Sequence, residues 1–294
     1  MMLTRDLRDR ILDRLGLADS PATDLEGLER VYGAWCASMN FDNVGKLIAL
    51  RTASADSPLP GIDAAGFFDR WLAHGIGGTC WTSSNALFAL LEELGFDARR
   101  VAGSMRDTGI LSHGSVKVTL DGNDWLVDSS MLTRVPLLLT EEVFATSDPV
   151  ISAEVEWVDG THLIWVDLPP NPTHIPCRLL VDPAPFDFYV ERWEASRGRS
   201  PFNQRVYARR NTGDGLVVLN AMTRICKTAS GTQTTELSAS QICETLRDEF
   251  GVSGAMLDEF RSSGALEASL EPPAGPPPTP ITGKPPSQRA VSAC

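Results

Sequence analysis

The sequence predicts an α+β protein whose first third is helical and whose middle is a sheet or small barrel. Apolar residues recur at helical spacing as far as Gly95, and beyond it the period changes from 3.6 to 2 residues. An Asp121-Gly122 pair between two alternating segments is typical of a β-hairpin. Residues 214–226 and 233–262 have the pattern of a strand followed by helix. Helices therefore come first, strands second and mixed elements last.

The composition is that of a folded protein without a nucleic-acid or membrane partner. Of 294 residues, 43% are hydrophobic and 22% are charged, as in ordinary soluble domains. The net charge of −12 argues against the basic face that nucleic acid requires. The N-terminus lacks the apolar segment of a signal peptide, and no segment approaches the roughly 18 apolar residues of a membrane helix. We therefore expect a cytoplasmic protein.

The cysteines favour a reactive thiol over a metal site. No two of them have CxxC spacing, so neither a zinc-finger nor an iron–sulfur pattern is present, and no metal is expected. A disulfide framework is not expected in a chain of this size without a secretion signal. The six are Cys36, Cys80, Cys177, Cys226, Cys243 and Cys294.

Four helices are predicted before Gly95. The first lies within 1–20, and the second follows a capping-box pattern of Thr23 and Glu26. Residues 39–43 suggest a turn and 51–62 a loop, after which a third helix ends at Gly75.

The segment Gly77-Gly78-Thr79-Cys80-Trp81 leads into the fourth helix. Two glycines allow the backbone to turn tightly and to approach a ligand. Residues 82–84 offer N-cap side chains, and the helical pattern runs on from Asn85. Cys80 therefore lies at or just before a helix N-terminus, where unpaired N–H groups and the helix dipole favour a thiolate.

Strands are predicted from Arg100 onward, with a loop at 106–112. The Pro-rich residues after Glu271 predict a disordered or polyproline-like tail. The β-type segments are 100–105, 113–120, 123–128, 152–158, 162–168, 177–181, 186–190 and 203–210.

The predicted hairpin brings a histidine and an aspartate together. If Asp121-Gly122 is a two-residue turn, Ser115 lies opposite Asp128, and His113 is its diagonal neighbour on the same face. The opposite face of the hairpin is apolar, so a single register both buries that face and places His113 beside Asp128. Cys80 as nucleophile, His113 as base and Asp128 as the group that orients the imidazole then form a candidate triad. The alternative is a buried Cys, a surface His and a turn Asp.

The chain resembles the arylamine N-acetyltransferase family over roughly residues 5–225. That family has a Gly-Gly-x-Cys segment that opens a helix, followed by a His and an Asp on successive strands. The matching segments here are Gly77-Gly78-Thr79-Cys80, His113, Asp128, Phe41-Asp42-Asn43, Leu94-Gly95-Phe96, Thr108-Gly109 and Ser200-Pro201-Phe202-Asn203.

The resemblance implies three regions and a cysteine-protease-like catalytic core. These regions are a helical bundle (1–97), a β-barrel (98–195) and an α/β lid (196–268), and the Pro-rich tail (269–294) predicted from composition follows them. Thr108 and Gly109 would then contact coenzyme A. No tightly bound cofactor is expected; the co-substrate would be acyl-CoA, such as acetyl-CoA, or a carrier-protein thioester.

Further site residues are expected around the nucleophile. The backbone at Gly78 and Trp81 would bind the oxyanion. An acceptor pocket for a small amine would include Phe41, Ser129 and Met131. A homodimer remains open.

Three positions depart from the family pattern. Ile76 stands where the family usually has Arg before the glycine pair, and that Arg would pair with the residue equivalent to Asp42. Thr82 replaces the usual Glu, and Ser129-Ser130-Met131 replaces Val-Gly-Phe after the triad Asp. These departures leave the acyl donor and the acceptor open.

Several functions fit a Cys-His-Asp site. The first is acyl transfer from a thioester through acyl-Cys80 to an amine, hydroxylamine or hydrazine. A variant is an amide synthase of secondary metabolism that uses a carrier-protein or CoA thioester. A transglutaminase- or papain-like hydrolase and an inactive, scaffold-like relative are the alternatives. A cluster among seven arginines would favour the carrier protein: Arg178, Arg192, Arg197, Arg199, Arg205, Arg209 and Arg210.

Overall fold

The computed structural model describes residues 3–17, 19–54 and 56–271. The predicted tail beyond residue 271 lies outside these ranges. None of the helices within them combines the length and the hydropathy needed to cross a bilayer.

Five helices and a short strand come first in the chain. They are α1 (Arg5–Leu15), α2 (Leu25–Ser38), β1 (Phe41–Asp42), α3 (Val44–Thr52), α4 (Ala64–His74) and α5 (Cys80–Glu93). The capping box predicted at Thr23 and Glu26 is wrong, because Asp24 is the N-cap and its carboxylate accepts the Gly27 N–H at 2.8 Å. Helix α3 was not predicted from the sequence.

Helix α5 begins earlier than the sequence pattern predicted. Its N-cap is Thr79, so Cys80 is its first residue. Residues 82–84 are therefore not N-caps. They lie inside the helix, where the hydroxyls of Thr82 and Ser83 donate back to the Thr79 carbonyl at 3.0 and 2.9 Å.

The middle of the chain folds into a nearly closed antiparallel barrel. Its order is β5-β4-β3-β2-β9-β8-β7-β6, and the edge strands β5 and β6 contact each other. The eight strands are β2 (Asp97–Met105), β3 (His113–Leu120), β4 (Asn123–Val127), β5 (Leu137–Leu139), β6 (Phe144–Ala145), β7 (Ala153–Val158), β8 (Thr161–Val166) and β9 (Ile175–Val181).

The β3–β4 hairpin has the predicted register. Leu120 pairs with Asn123 and Val116 with Val127. Asp121 and Gly122 both have positive φ, as a type I′ turn requires.

The strand predicted at 186–190 is wrong, because these residues begin helix α6 (Phe186–Ala195). The aromatic residues of this segment fit either period. Tyr189 and Trp193, four apart, form the buried face of the helix.

The last part is a five-stranded sheet covered by helices. Its order is β1-β10-β11-β12-β13, so the N-terminal strand β1 forms its edge. Residues Val44, Leu47 and Ile48 of α3 share a core with the helices of this part. The predicted division at residues 97, 195 and 268 stays a prediction. The elements are β10 (Tyr207–Asn211), β11 (Gly215–Asn220), β12 (Thr223–Thr228), β13 (Gly231–Glu236), α7 (Ala239–Asp248), α8 (Gly254–Ser262) and α9 (Ala265–Leu270).

Candidate active site

The structure brings His113 and Asp128 into direct contact. His113 Nε2 lies 2.6 Å from Asp128 Oδ2, and both side chains are buried. Burial alone would lower the pKa of His113, but the charge of Asp128 and contacts with Cys177 and Cys80 raise it well above its usual value. Since Nε2 binds the carboxylate, Nδ1 is the ring nitrogen left to exchange a proton with Cys80.

The second oxygen of Asp128 is held by the loop that follows it. Oδ1 accepts hydrogen bonds from Ser130 N, Ser130 Oγ and Met131 N at 2.9, 2.9 and 2.7 Å. Burial would raise the pKa of Asp128, but the charge and the hydrogen bond of His113 and the Met131 N–H lower it. Asp128 is thus fixed as a charged acceptor.

Cys80 is positioned by the turn before α5. Asp42 Oδ2 accepts the Gly77 N–H at 2.6 Å, and the Gly78 carbonyl accepts the Asp42 N–H at 3.2 Å. A Cβ on Gly77 would overlap the Asn40 carbonyl oxygen, so the close approach requires glycine. The Cys80 thiol lies 3.7 Å from the Ser112 carbonyl, next to His113 in the chain.

The start of α5 provides donors beside the thiol. The first N–H groups of a helix have no helical acceptor, and that of Trp81 is one of them. The Trp81 ring packs edge-on against Tyr189 at 5.0 Å between centroids. A Cβ on Gly114 would lie 2.8 Å from this ring, so glycine after His113 lets α5 approach β3.

The predicted acceptor residues are not brought together. Phe41 packs against Phe202 and Tyr207, with centroids 5.1 and 5.8 Å away. Ser129 Oγ instead lies 2.8 Å from the hydroxyls of both Ser83 and Ser84 of α5. Met131 is buried in the barrel core, away from Phe41. Phe41 and Met131 belong to different core clusters, and an acceptor pocket at the three residues stays a prediction.

Thr108 and Gly109 lie at the surface, in the loop between β2 and β3. Asp107 of this loop makes two hydrogen bonds of 2.7 Å to Arg178 of β9. The loop leads directly to Ser112 and His113. Its position is thus suited to a ligand that reaches Cys80 from outside.

The seven arginines do not form one free cluster. Arg178 is bound to Asp107, while Arg192 and Arg197 pair with Glu191 and Glu194. Arg209 is buried on β10. These arginines therefore do not form the free basic cluster that would favour a carrier-protein partner.

Sequence reasoning missed three charged or polar residues around the site. Tyr32 of α2 binds the backbone of Asp128 and Thr133. Lys46 and Arg70 line a cleft beside Gly78 and Thr79. The sequence offered no signal for them, because α3 and α4 reach the site only through tertiary packing. No group of three or more metal-binding side chains occurs in the described ranges.

Sequence comparisons match part of this chain to N-acetyltransferases and to an amide synthase. A family model described as N-acetyltransferase matches residues 24–152. Proansamycin X synthase of Amycolatopsis mediterranei (strain S699) is 30% identical over 122 residues, 40% of this chain and 45% of that protein. An arylamine N-acetyltransferase of Mycolicibacterium smegmatis is 29% identical over 126 residues, 40% of this chain and 43% of that protein. The matches thus span less than half the length of either curated relative.

Solved structures establish the fold over most of the chain. The arylamine N-acetyltransferase of Mycobacterium abscessus has a TM-score of 0.72 at 19% identity, covering 88% of this chain and 94% of that one. The Mycobacterium marinum enzyme in complex with CoA has a TM-score of 0.74 at 20% identity, covering 89% and 97%. The fold is that of the arylamine N-acetyltransferases, and the resemblance seen in the sequence is confirmed.

Proposed function

We propose that this chain is a member of the arylamine N-acetyltransferase family that transfers an acyl group from a thioester to an amine through acyl-Cys80. The observation that carries the proposal is the 2.6 Å His113–Asp128 contact beside a cysteine at a helix N-terminus. The CoA complex of a structural relative supports acyl-CoA, such as acetyl-CoA, as the donor.

The proposed reaction has two steps. His113 Nδ1 takes the Cys80 proton, and the sulfur attacks the thioester carbonyl while the backbone at Gly78 and Trp81 binds the oxyanion. The C–S bond of the donor breaks and its thiol leaves with the proton. An amine then attacks acyl-Cys80, His113 removes an amine proton, and Cys80 leaves as the amide forms.

Asp128 would act through His113. Its two N–H donors and the Ser130 hydroxyl fix the carboxylate, which fixes the imidazole ring in turn. Thr108 and Gly109 would contact the donor, and Phe41 the acceptor. No metal takes part in this reaction.

A second candidate is an amide synthase that uses a carrier-protein or CoA thioester. It is favoured by the 30% identity to a protein named proansamycin X synthase. A cysteine hydrolase is the third candidate, with water in place of the amine. A cytoplasmic location is proposed for all three; a dimer is not required by this site.

Intact mass after incubation with acetyl-CoA and longer acyl thioesters tests the proposal. We expect an added acyl group on the wild type, its removal by hydroxylamine or an amine, and no adduct on Cys80→Ala. Cys226→Ala is the matched control, since Cys226 is a partly exposed thiol outside the triad. Cys36 and Cys177 should stay unmodified, because burial raises the pKa of each thiol to about 12.

The outcomes separate the candidates. An adduct that is stable in water and is removed by an amine supports a transferase, and the best donor distinguishes acetyl transfer from amide synthesis. Rapid loss of the adduct to water would favour the hydrolase. No adduct with any thioester, despite selective alkylation of Cys80, would contradict the transferase.

A further inference from the structure

A narrow cleft adjoins the turn that carries the nucleophile. Gly78, Thr79 and Thr82 form one wall, and Lys46, Arg70 and Trp193 form others. Its free volume of about 20 Å³ is room for one or two water molecules. The cleft therefore admits the end of a small polar group but not an aromatic ring.

Lys46 is a buried cation whose hydrogen-bond partners are uncharged. It is 5% exposed, and its Nζ donates to the hydroxyl and the carbonyl of Ser196 at 2.8 and 3.4 Å. The ammonium also lies 4.8 Å from the centroid of the Trp193 ring. Within the described ranges no carboxylate lies within 4 Å of this nitrogen. Burial costs an ammonium free energy that only an anion fully offsets.

The electrostatics link Lys46 to the nucleophile. Burial lowers the pKa of Lys46 to about 8, the Cys80 charge opposes this fall, and Arg197 adds to it. The ammonium of Lys46 and the sulfur of Cys80 are therefore close enough to interact electrostatically.

Arg70 is the second cation of the cleft. In the part of the chain that the structure describes, its guanidinium makes no ion pair within 4 Å, and Asp42 and Glu259 act on it only at longer range. A Cβ on Gly45 would overlap Arg70 Nη2, so the missing side chain leaves room for this group. A guanidinium that has room around it and no close ion pair is suited to two parallel hydrogen bonds with the carboxylate of a ligand.

Among the described residues that line the cleft, Asp42 is the one acid, and it does not cancel both cations. Its Oδ1 and Oδ2 are engaged by Val44 N at 3.1 Å and Gly77 N at 2.6 Å. Lys46 and Arg70 thus leave the cleft with an excess of positive charge.

We propose that Lys46 and Arg70 form a subsite for a carboxylate of the substrate, carried either on the acyl group or on the acceptor. The carboxylate oxygens would take the place of water in the cleft and face the two cations. The subsite deepens the proposed function and rests on it, because the substrate must also reach Cys80. In the acyl case the Cys80 sulfur bonds to the carbonyl carbon of a carboxyacyl thioester, and the donor thiol leaves.

Paired substrates test the two sources of the carboxylate. The first arm compares Cys80 acylation by succinyl-CoA and butyryl-CoA, which differ in the terminal carboxylate. The second arm uses the acyl-enzyme and compares deacylation by 3-aminobenzoate and 3-toluidine. We expect a preference of about tenfold or more for the carboxylate in one arm, the size of a charge-assisted hydrogen bond.

Two variants address the subsite. Lys46→Met removes the ammonium, and Gly45→Ala displaces the Arg70 guanidinium without changing the charge; each should reduce the preference ratio at least about fivefold. Arg247→Met is the control, since Arg247 is exposed and pairs with its neighbour Asp248; the ratio should stay as in the wild type.

The failures are distinguishable. Acylation by butyryl-CoA without a carboxylate preference in either arm would overturn the subsite and leave the proposed function intact. A preference that survives both Lys46→Met and Gly45→Ala would also overturn it. If no thioester acylates Cys80 at all, the proposed function fails and the subsite fails with it.

Discussion

The phenol of Tyr32 fixes the loop that carries Asp128. Its O–H donates to the Asp128 carbonyl at 2.8 Å, and its oxygen accepts the N–H groups of Asp128 and Thr133 at 3.2 Å each. Tyr32 is fully buried, so no water replaces these bonds. It therefore acts on the proposed triad as a positioning residue, from a helix distant in sequence.

Tyr32→Phe should weaken both stability and catalysis. Two buried N–H groups would lose their acceptor, which costs about 2 kcal/mol of the free energy of unfolding. The rate of Cys80 acylation should fall, because Asp128 is less firmly placed. Urea unfolding and acylation kinetics measure the two effects. Unchanged acylation in a folded variant would contradict the positioning role.

Asp42 makes stability depend on pH in the acid range. Burial raises its pKa from 3.8 to about 6, and the Gly77 and Val44 N–H groups and Arg70 only partly offset this. Between about pH 4 and 6 the folded state then binds more protons at Asp42 than the unfolded state. The contribution of Asp42 to stability is therefore present at low pH and is lost as pH rises through 6.

Asp42→Asn removes this pH dependence. The difference in unfolding free energy, wild type minus variant, should fall by roughly 2 kcal/mol between pH 4 and pH 7. Urea unfolding at four pH values measures it, with the exposed Asp6→Asn as control. A difference that rises with pH would show that Asp42 is stabilised as the charged form instead.

At the scale of elements, the hairpin shows what the sequence could predict. An Asp-Gly turn and strict alternation leave one register, and that register alone brings His113 to Asp128. Helix α6 shows the limit, since the alternation of Phe186, Phe188 and Val190 fits a strand as well as a helix. The Lys46 and Arg70 pair was beyond prediction, because its closeness depends on how α3 packs on α4.

The turn before α5 is a second element with a sharp requirement. Gly77→Ala should destabilise the fold by about 2 kcal/mol or more, because its Cβ would overlap backbone of residue 40. It should also slow acylation, since Cys80 moves with the turn. Gly213→Ala is the matched control: its Cβ meets open space and its φ is not positive. Equal unfolding free energies for the two variants would contradict this account.

At the scale of the whole molecule, the short strand β1 joins the nucleophile turn to the C-terminal sheet. Phe41 pairs with Arg209 of β10 and bridges to Gly78 on its other side. Next to it, buried Asn43 donates to the carbonyls of Phe202 and Arg205 at 3.0 and 2.7 Å. The turn at Cys80 and the last third of the chain are thus held by one three-residue segment.

Asn43→Ala should weaken the connection between the turn at Cys80 and the C-terminal sheet. Asn43 Oδ1 also accepts the Tyr207 N–H at 2.8 Å, so one truncation leaves three partly buried backbone groups without this partner. We expect a loss of about 3 kcal/mol in unfolding free energy. Hydrogen exchange should rise in residues 202–207 first and in the turn at 77–79 next.

Asn123→Ala provides the control, since Asn123 is exposed at the tip of the β3–β4 hairpin. It should change neither exchange pattern. Increased exchange confined to 202–207 in Asn43→Ala, with the turn at 77–79 still protected, would show that the C-terminal sheet opens without moving the nucleophile. Increased exchange in both segments would make the sheet a support for Cys80, although no residue of that sheet belongs to the proposed triad.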